Sequence, residues 1–253
     1  MNFIETLEYR NGPLFYFGLI CFVLAIVFLL LTKTSTIQLS GVNVWNKPFK
    51  FALSIMLYSW SMAWYCYYLP SFNVTLFNWA VIILLGYELS YIAIQAGRGQ
   101  LSHYNNSTPF YLLLFQLMGL AATLVTLYTA YVGILFFRND LPDLSLAYLW
   151  GIRWGIVIFV IFSFEGALMG GRMAHTVGGK DGGIGIPLLK WSLKSGDLRV
   201  AHFIGMHALQ VLPILACYFI KNTLAIFIVS ALYGLLALYT LIQALNGKPV
   251  HKL

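Results

Sequence analysis

Two carboxylates, Glu88 and Glu165, interrupt stretches that are otherwise long and apolar enough to cross a bilayer. An acid at membrane depth is expensive and by default marks a working site. Four of the five histidines, His103, His175, His202 and His207, fall near the ends of apolar runs. Imidazole and carboxylate together suit zinc or non-haem iron, proton exchange, or, with two facing histidines, a b-type haem. Arg98, Arg172 and Arg199 close the same segments. Guanidinium groups there would hold an anionic group such as a phosphate or carboxylate.

Spacing sorts these residues onto helix faces. Glu88 and Gln95 are seven apart with Tyr91 between them, so the three share one face. Glu165 and Arg172 are also seven apart, and His175 follows three residues later, a neighbour if the helix continues. Gly166 and Gly170, four apart, would let another backbone approach beside Glu165. His202 and His207 stand about 140° apart around a helix and cannot easily share one ion, whereas His207 and Gln210 share a face. Asp197 reads as the cap of that helix.

The elements that must position them are membrane helices. The 253 residues are 60% hydrophobic and 9% charged, with a mean hydropathy of +0.80. Soluble domains carry roughly 25% charged residues, so the bilayer is the expected solvent. Apolar runs at about 14–31, 49–69, 75–95, 110–137, 151–171, 200–220 and 223–243 each match the length needed to span ~30 Å. Lipid offers backbone groups no partner, so each run is expected to be helical. The fold class expected is therefore all-α: a single transmembrane domain over 1–253, seven helices in one bundle. The tightest break is Lys221-Asn222.

The net charge of +7 does not point to nucleic acid. Lys33, Lys47, Lys50, Arg98, Arg172, Lys180, Lys190, Lys194, Arg199, Lys248 and Lys252 fall on one side of the expected bundle; Arg10, Arg138, Arg153 and Lys221 fall on the other. By the positive-inside rule the N-terminus is outside and the C-terminus cytoplasmic. Glu5 and Glu8 are wrong for a signal-peptide n-region, so the first run is expected to stay as an anchor. The three cysteines have no pairing or ligand spacing and read as small apolar residues. Tryptophans and tyrosines at the run ends fit interfacial belts. The long 172–199 loop opens with a glycine-rich hinge and continues into an amphipathic piece suited to headgroups, or to a lid.

In this topology Glu88, Glu165 and His207 reach one depth, with the other histidines and the arginines above them toward the cytoplasm. Three functions fit that set. The first is a membrane-embedded enzyme or cofactor binder, using iron or zinc, or haem b, on a lipid-like or small anionic ligand. Glu88 and Glu165 would be the catalytic residues. His207, His202, His175 and His103 would be ligands, and Arg98, Arg172, Arg199, Gln95 and Gln210 would bind substrate. The second is a proton-coupled carrier of a small anion. The third is a sensor or scaffold whose polar core only locks helices together.

The strings Trp45-Asn46-Lys47-Pro48-Phe49-Lys50-Phe51-Ala52-Leu53-Ser54, Gln95-Ala96-Gly97-Arg98-Gly99-Gln100-Leu101-Ser102-His103-Tyr104-Asn105 and Gly196-Asp197-Leu198-Arg199-Val200-Ala201-His202-Phe203 resemble those of a group of uncharacterised bacterial multi-spanning membrane proteins. The resemblance runs from about residue 40 to 213. It implies membrane residence and a bacterial inner membrane, and no reaction. Microbial rhodopsins need a lysine in the last helix, and 223–243 has none. Alkaline-ceramidase-type hydrolases use His-x-x-x-His, one residue shorter than the His202–His207 interval.

Overall fold

Every expected apolar run is helical in the computed structural model, which describes residues 2–250. Lys252, counted above on the cytoplasmic side, lies outside the described residues. Eight helices are present among the described residues: α1 (Phe3–Arg10), α2 (Gly12–Thr34), α3 (Asn46–Cys66), α4 (Val74–Gly97), α5 (Pro109–Arg138), α6 (Leu146–Arg172), α7 (Arg199–Tyr218) and α8 (Thr223–Leu245). Two short hairpins join them, β1–β2 (Gln38–Leu39, Val42–Asn43) and β3–β4 (Thr176–Val177, Gly196–Asp197). Six helices, all but α1 and α3, are long and apolar enough to cross a membrane. The 21 residues of α3 would reach across, but Ser, Trp and Tyr dilute their apolar content.

The additional helix, α1, has a complete capping box: Asn2 accepts from the Glu5 N–H, and Glu5 accepts from the Asn2 N–H. Elsewhere polar residues immediately before the helices act as caps. Asn11, Asn73, Ser145 and Asn222 each accept from a first-turn backbone N–H of the helix that follows. The Asn222 cap places a true break between α7 and α8.

The chain divides into two compact units, up to Tyr128 and from Thr129, with the division inside α5. In the first unit α2 packs along α3. Gly18 makes this possible, since a Cβ there would lie 2.3 Å from the Trp60 indole nitrogen. That nitrogen donates to the Phe15 carbonyl at 3.1 Å, and the Phe15 and Trp60 rings stack. Trp60 is thus a seam residue between helices. The α2–α3 connection folds through a tight hairpin with positive φ at Ser40 and Gly41. Asn43 closes the connection, donating to the carbonyls of Thr32 and Ser35 and accepting from the Trp45 N–H.

In the second unit α6 lies against α7 at backbone distance. A Cβ on Gly151 would stand 3.0 Å from the Leu212 carbonyl oxygen, and one on Gly155 would stand 2.9 Å from that of Ala208. The close approach therefore uses Gly151-x-x-x-Gly155. Gly166, expected to serve a backbone, makes room only for the His202 ring, whose Cε1 would be 3.4 Å from an added Cβ.

The 172–199 loop is built from nested hairpins. Thr176 pairs with Asp197 and Val177 with Gly196; further out, Gly185 bridges Ser192. Gly196 fits flush on the end of α8, where a Cβ would sit 2.0 Å from the Ala244 carbonyl oxygen. No helical turn forms over 188–194, so the amphipathic piece is a bent hairpin arm. Leu188 and Lys190 take left-handed backbone conformations there, which helical propagation does not allow.

Candidate functional site: a buried acid on α6 and the network beside it

In the second unit, Glu165 is 7% exposed on the inward face of α6. Neither of its carboxyl oxygens has a hydrogen-bond partner among the described residues. Buried polar groups are normally paired, so a carboxyl with both oxygens bare is a rare feature that demands a reason.

Its surroundings come from α7. His202 sits one helical turn into α7, against Gly166, the residue after Glu165. The His202 Nδ1 is 2.7 Å from the Phe162 carbonyl oxygen. A carbonyl only accepts, so Nδ1 carries the hydrogen, and in the neutral ring Nε2 is left as an acceptor. His207 lies further into α7, its Nδ1 3.3 Å from the Gln210 Oε1 as the spacing implied, and its ring edge-on to Phe203 at 4.2 Å.

At the mouth of this helix pair the charges are heavily partnered. Asp197, 1% exposed, accepts from the Arg199 Nε at 2.9 Å, the Arg199 Nη2 at 2.6 Å, and the N–H groups of Ser192 and Arg199. His175 approaches the same carboxylate at 3.8 Å and Asp181 at 3.4 Å. Burial alone would raise the Asp197 carboxyl; the Arg199 guanidinium, the Ser192 N–H and His175 outweigh it and hold the group below the usual carboxylate range.

Several expectations change here. Helix α6 ends at Arg172 with Met173 in the left-handed region, so His175 stands in the hairpin and is no helical neighbour of Arg172. Arg199 is bound to Asp197 and to the Lys190 carbonyl, while Arg172 is exposed. The N-cap of α7 is Leu198, without a side-chain bond; Asp197, read from sequence as a plain cap, is the hub of the loop. The adjacent Asp197-x-Arg199 pair was the signal for it. Asp181, which accepts from the N–H groups of His175 and Thr176, had no signal because only folding brings it there.

The remaining site residues belong to the first unit. Glu88, Tyr91 and Gln95 are all buried on one face of α4, as their spacing requires. Gln95 donates to the Tyr91 hydroxyl and the Leu101 carbonyl, and its own oxygen is bare. Arg98 is exposed at the end of α4. His103, in the loop after it, is boxed by Phe51, Tyr104 and Phe115 and bonded to the Ser102 hydroxyl. Burial, with the nearby Lys47 charge adding to it, holds the His103 imidazole well below its ordinary range.

Among the described residues, no three His, Cys, Asp or Glu side chains are grouped so that they could hold a metal ion. Each imidazole expected as a ligand has a local partner: Ser102 for His103, Asp181 and Asp197 for His175, Phe162 for His202 and Gln210 for His207. No protein-family model, curated protein or solved structure matches the chain.

Proposed function

We propose that this chain is a seven-crossing protein of the bacterial inner membrane, N-terminus outside and C-terminus cytoplasmic, and that it works as a proton-coupled carrier of a small anion. In this reading α3 crosses together with the six more apolar helices. Its N-terminal Lys47 and Lys50 then join Arg172, Lys180, Lys190 and Lys194 on the cytoplasmic side, in keeping with the positive-inside rule.

The observation that carries the reading is the bare carboxyl of Glu165. A structural acid in a dry helix pair needs donors, and an acid needing no donors has no structural task. A group that alternately takes and releases a proton must be free of permanent partners. His202, fixed by the Phe162 carbonyl with its Nε2 left as an acceptor, is suited to pass that proton on. Arg172, exposed at the end of the same helix, supplies a cation for the co-transported anion. Asp197 and Arg199 neutralise each other and leave the mouth without a competing fixed charge.

The iron, zinc or haem enzyme remains the rival reading. The histidines fit both readings, since the bond of His202 uses Nδ1 and leaves Nε2 as an acceptor for a proton or a metal. Purified protein in liposomes loaded with a pH-sensitive dye provides the test. Imposed gradients of acetate, chloride and phosphate are applied in turn. Proton uptake driven by at least one anion, and abolished in Glu165→Gln, is the expected result. No proton flux with any anion, together with stoichiometric metal or a Soret band in the purified protein, overturns the carrier in favour of the enzyme.

A further inference from the structure

The outer hairpin of the 172–199 loop presents a combination that neither transport nor folding explains. Ile184 is 62% exposed and Leu188 52% exposed, with Pro187 between them also exposed, in a loop that lies outside every apolar helix. Lys180 and Lys194 flank them, exposed, and Lys190 is half-buried on the same arm. The acids of the loop are neutralised locally: Asp181 accepts two backbone N–H bonds and faces His175, and Asp197 is paired with Arg199.

The hairpin is held rigidly. Ile186 donates to the Trp191 carbonyl at 2.9 Å and Lys190 to the Ile186 carbonyl at 2.7 Å. Arg199 donates to the Lys190 carbonyl from below, and Trp191 packs edge-on against Phe203 of α7. Gly185 permits this fold, because a Cβ there would meet the Lys190 and Trp191 backbone at 2.8 Å. The base rests on the end of α8 through Gly196 and Gly178. The platform is thus fixed to the ends of three helices apolar enough to cross the membrane, which sets it at the level of the headgroups. Left-handed Leu188 and Lys190 are strained for L side chains, and in that conformation the Leu188 side chain is kept in the open.

We propose that this hairpin is a docking surface for anionic lipid headgroups. Ile184 and Leu188 would enter the acyl boundary, Trp191 would lie at the interface, and the exposed Lys180 and Lys194 would pair with lipid phosphates. Basic charge around an apolar tip, at the end of membrane-spanning helices, is complementary to the surface of an anionic leaflet. The surface does not depend on the carrier reading and would serve an enzyme or a scaffold equally.

The test is hydrogen–deuterium exchange on the full chain in nanodiscs, either of phosphatidylcholine alone or with phosphatidylglycerol added. Exchange over 182–190 is expected to slow in the anionic discs, by about fivefold for each lysine engaged. The double variant Lys180→Gln/Lys194→Gln, which changes only exposed side chains, should return the segment to its phosphatidylcholine rate. Equal rates in both lipids overturn the proposal, as does slowing that persists in the double variant. Protection that needs added soluble protein, and not anionic lipid, assigns the surface to a protein partner and also overturns it.

Discussion

Asp197 and Glu165 are both buried acids of the second unit, yet their surroundings are opposite. The hairpin base gives Asp197 a guanidinium, two backbone N–H groups and an imidazole. The α6–α7 seam gives Glu165 no donor at all. One carboxylate therefore holds a loop in shape, while the other is bare, as the proposed carrier requires of it.

Breaking the Asp197 side of this contrast has the largest expected effect. Arg199→Ala strands a buried carboxylate, and removing one partner of such a pair destabilises by about 3–5 kcal/mol. A fall in thermal midpoint in detergent would show it, and adding Asp197→Asn to Arg199→Ala should recover a large part of the loss. Glu165→Gln should do the reverse, leaving the midpoint unchanged or raised while proton flux is lost. If Glu165→Gln destabilised as much as Arg199→Ala, Glu165 would be a structural acid and the contrast would fail.

Backbone contact comes next. Gly155→Leu should separate α6 from α7 and cost about 2–3 kcal/mol, because the nearest obstacle is the Ala208 carbonyl oxygen, which cannot rotate away. Gly166→Ala, by comparison, meets only the His202 ring at 3.4 Å. Its effect on stability should stay within about 0.5 kcal/mol. Proton flux in Gly166→Leu, where the ring must shift, measures whether the position of His202 matters to Glu165.

Acid sharpens the comparison further. The Asp197 carboxyl is held below its unfolded value of about 3.9, so its contribution is fully present above that pH and is lost as pH falls through the lower folded value. His103, in the first unit, behaves differently. Its folded value lies well below the unfolded ~6.5, so stability falls as soon as pH drops beneath 6.5, where only the unfolded chain takes up the proton. Unfolding midpoints between pH 7.5 and 5 should therefore decline in the wild type and decline less in His103→Gln.

Helix existence was written in the sequence because it depends on local matters: apolar length, and Asn or Ser at the caps. The run 223–243 and the break at Asn222 could be read directly, as could the shared face of Glu88, Tyr91 and Gln95. The hydrophobic count alone could not classify α3, whose Tyr58, Ser59 and Tyr65 are buried and whose Trp60 packs on α2. Nor could spacing distinguish Gly151 and Gly155 from Gly166 and Gly170. Both pairs are four apart, and which one meets a backbone depends on where α7 crosses.

Sequence by itself determined that this is a helical, membrane-compatible chain with two acids set in apolar helices, because burial in lipid leaves so few alternatives for such stretches. Only tertiary structure decided how those residues are used. It gave Asp197 the role of hub, turned the long loop into nested hairpins and left Glu165 without a donor. The physical reason is that hydrogen bonds and ion pairs act over about 3 Å. Partners such as Phe162 and His202, forty residues apart in the chain, are therefore set only by how the helices pack.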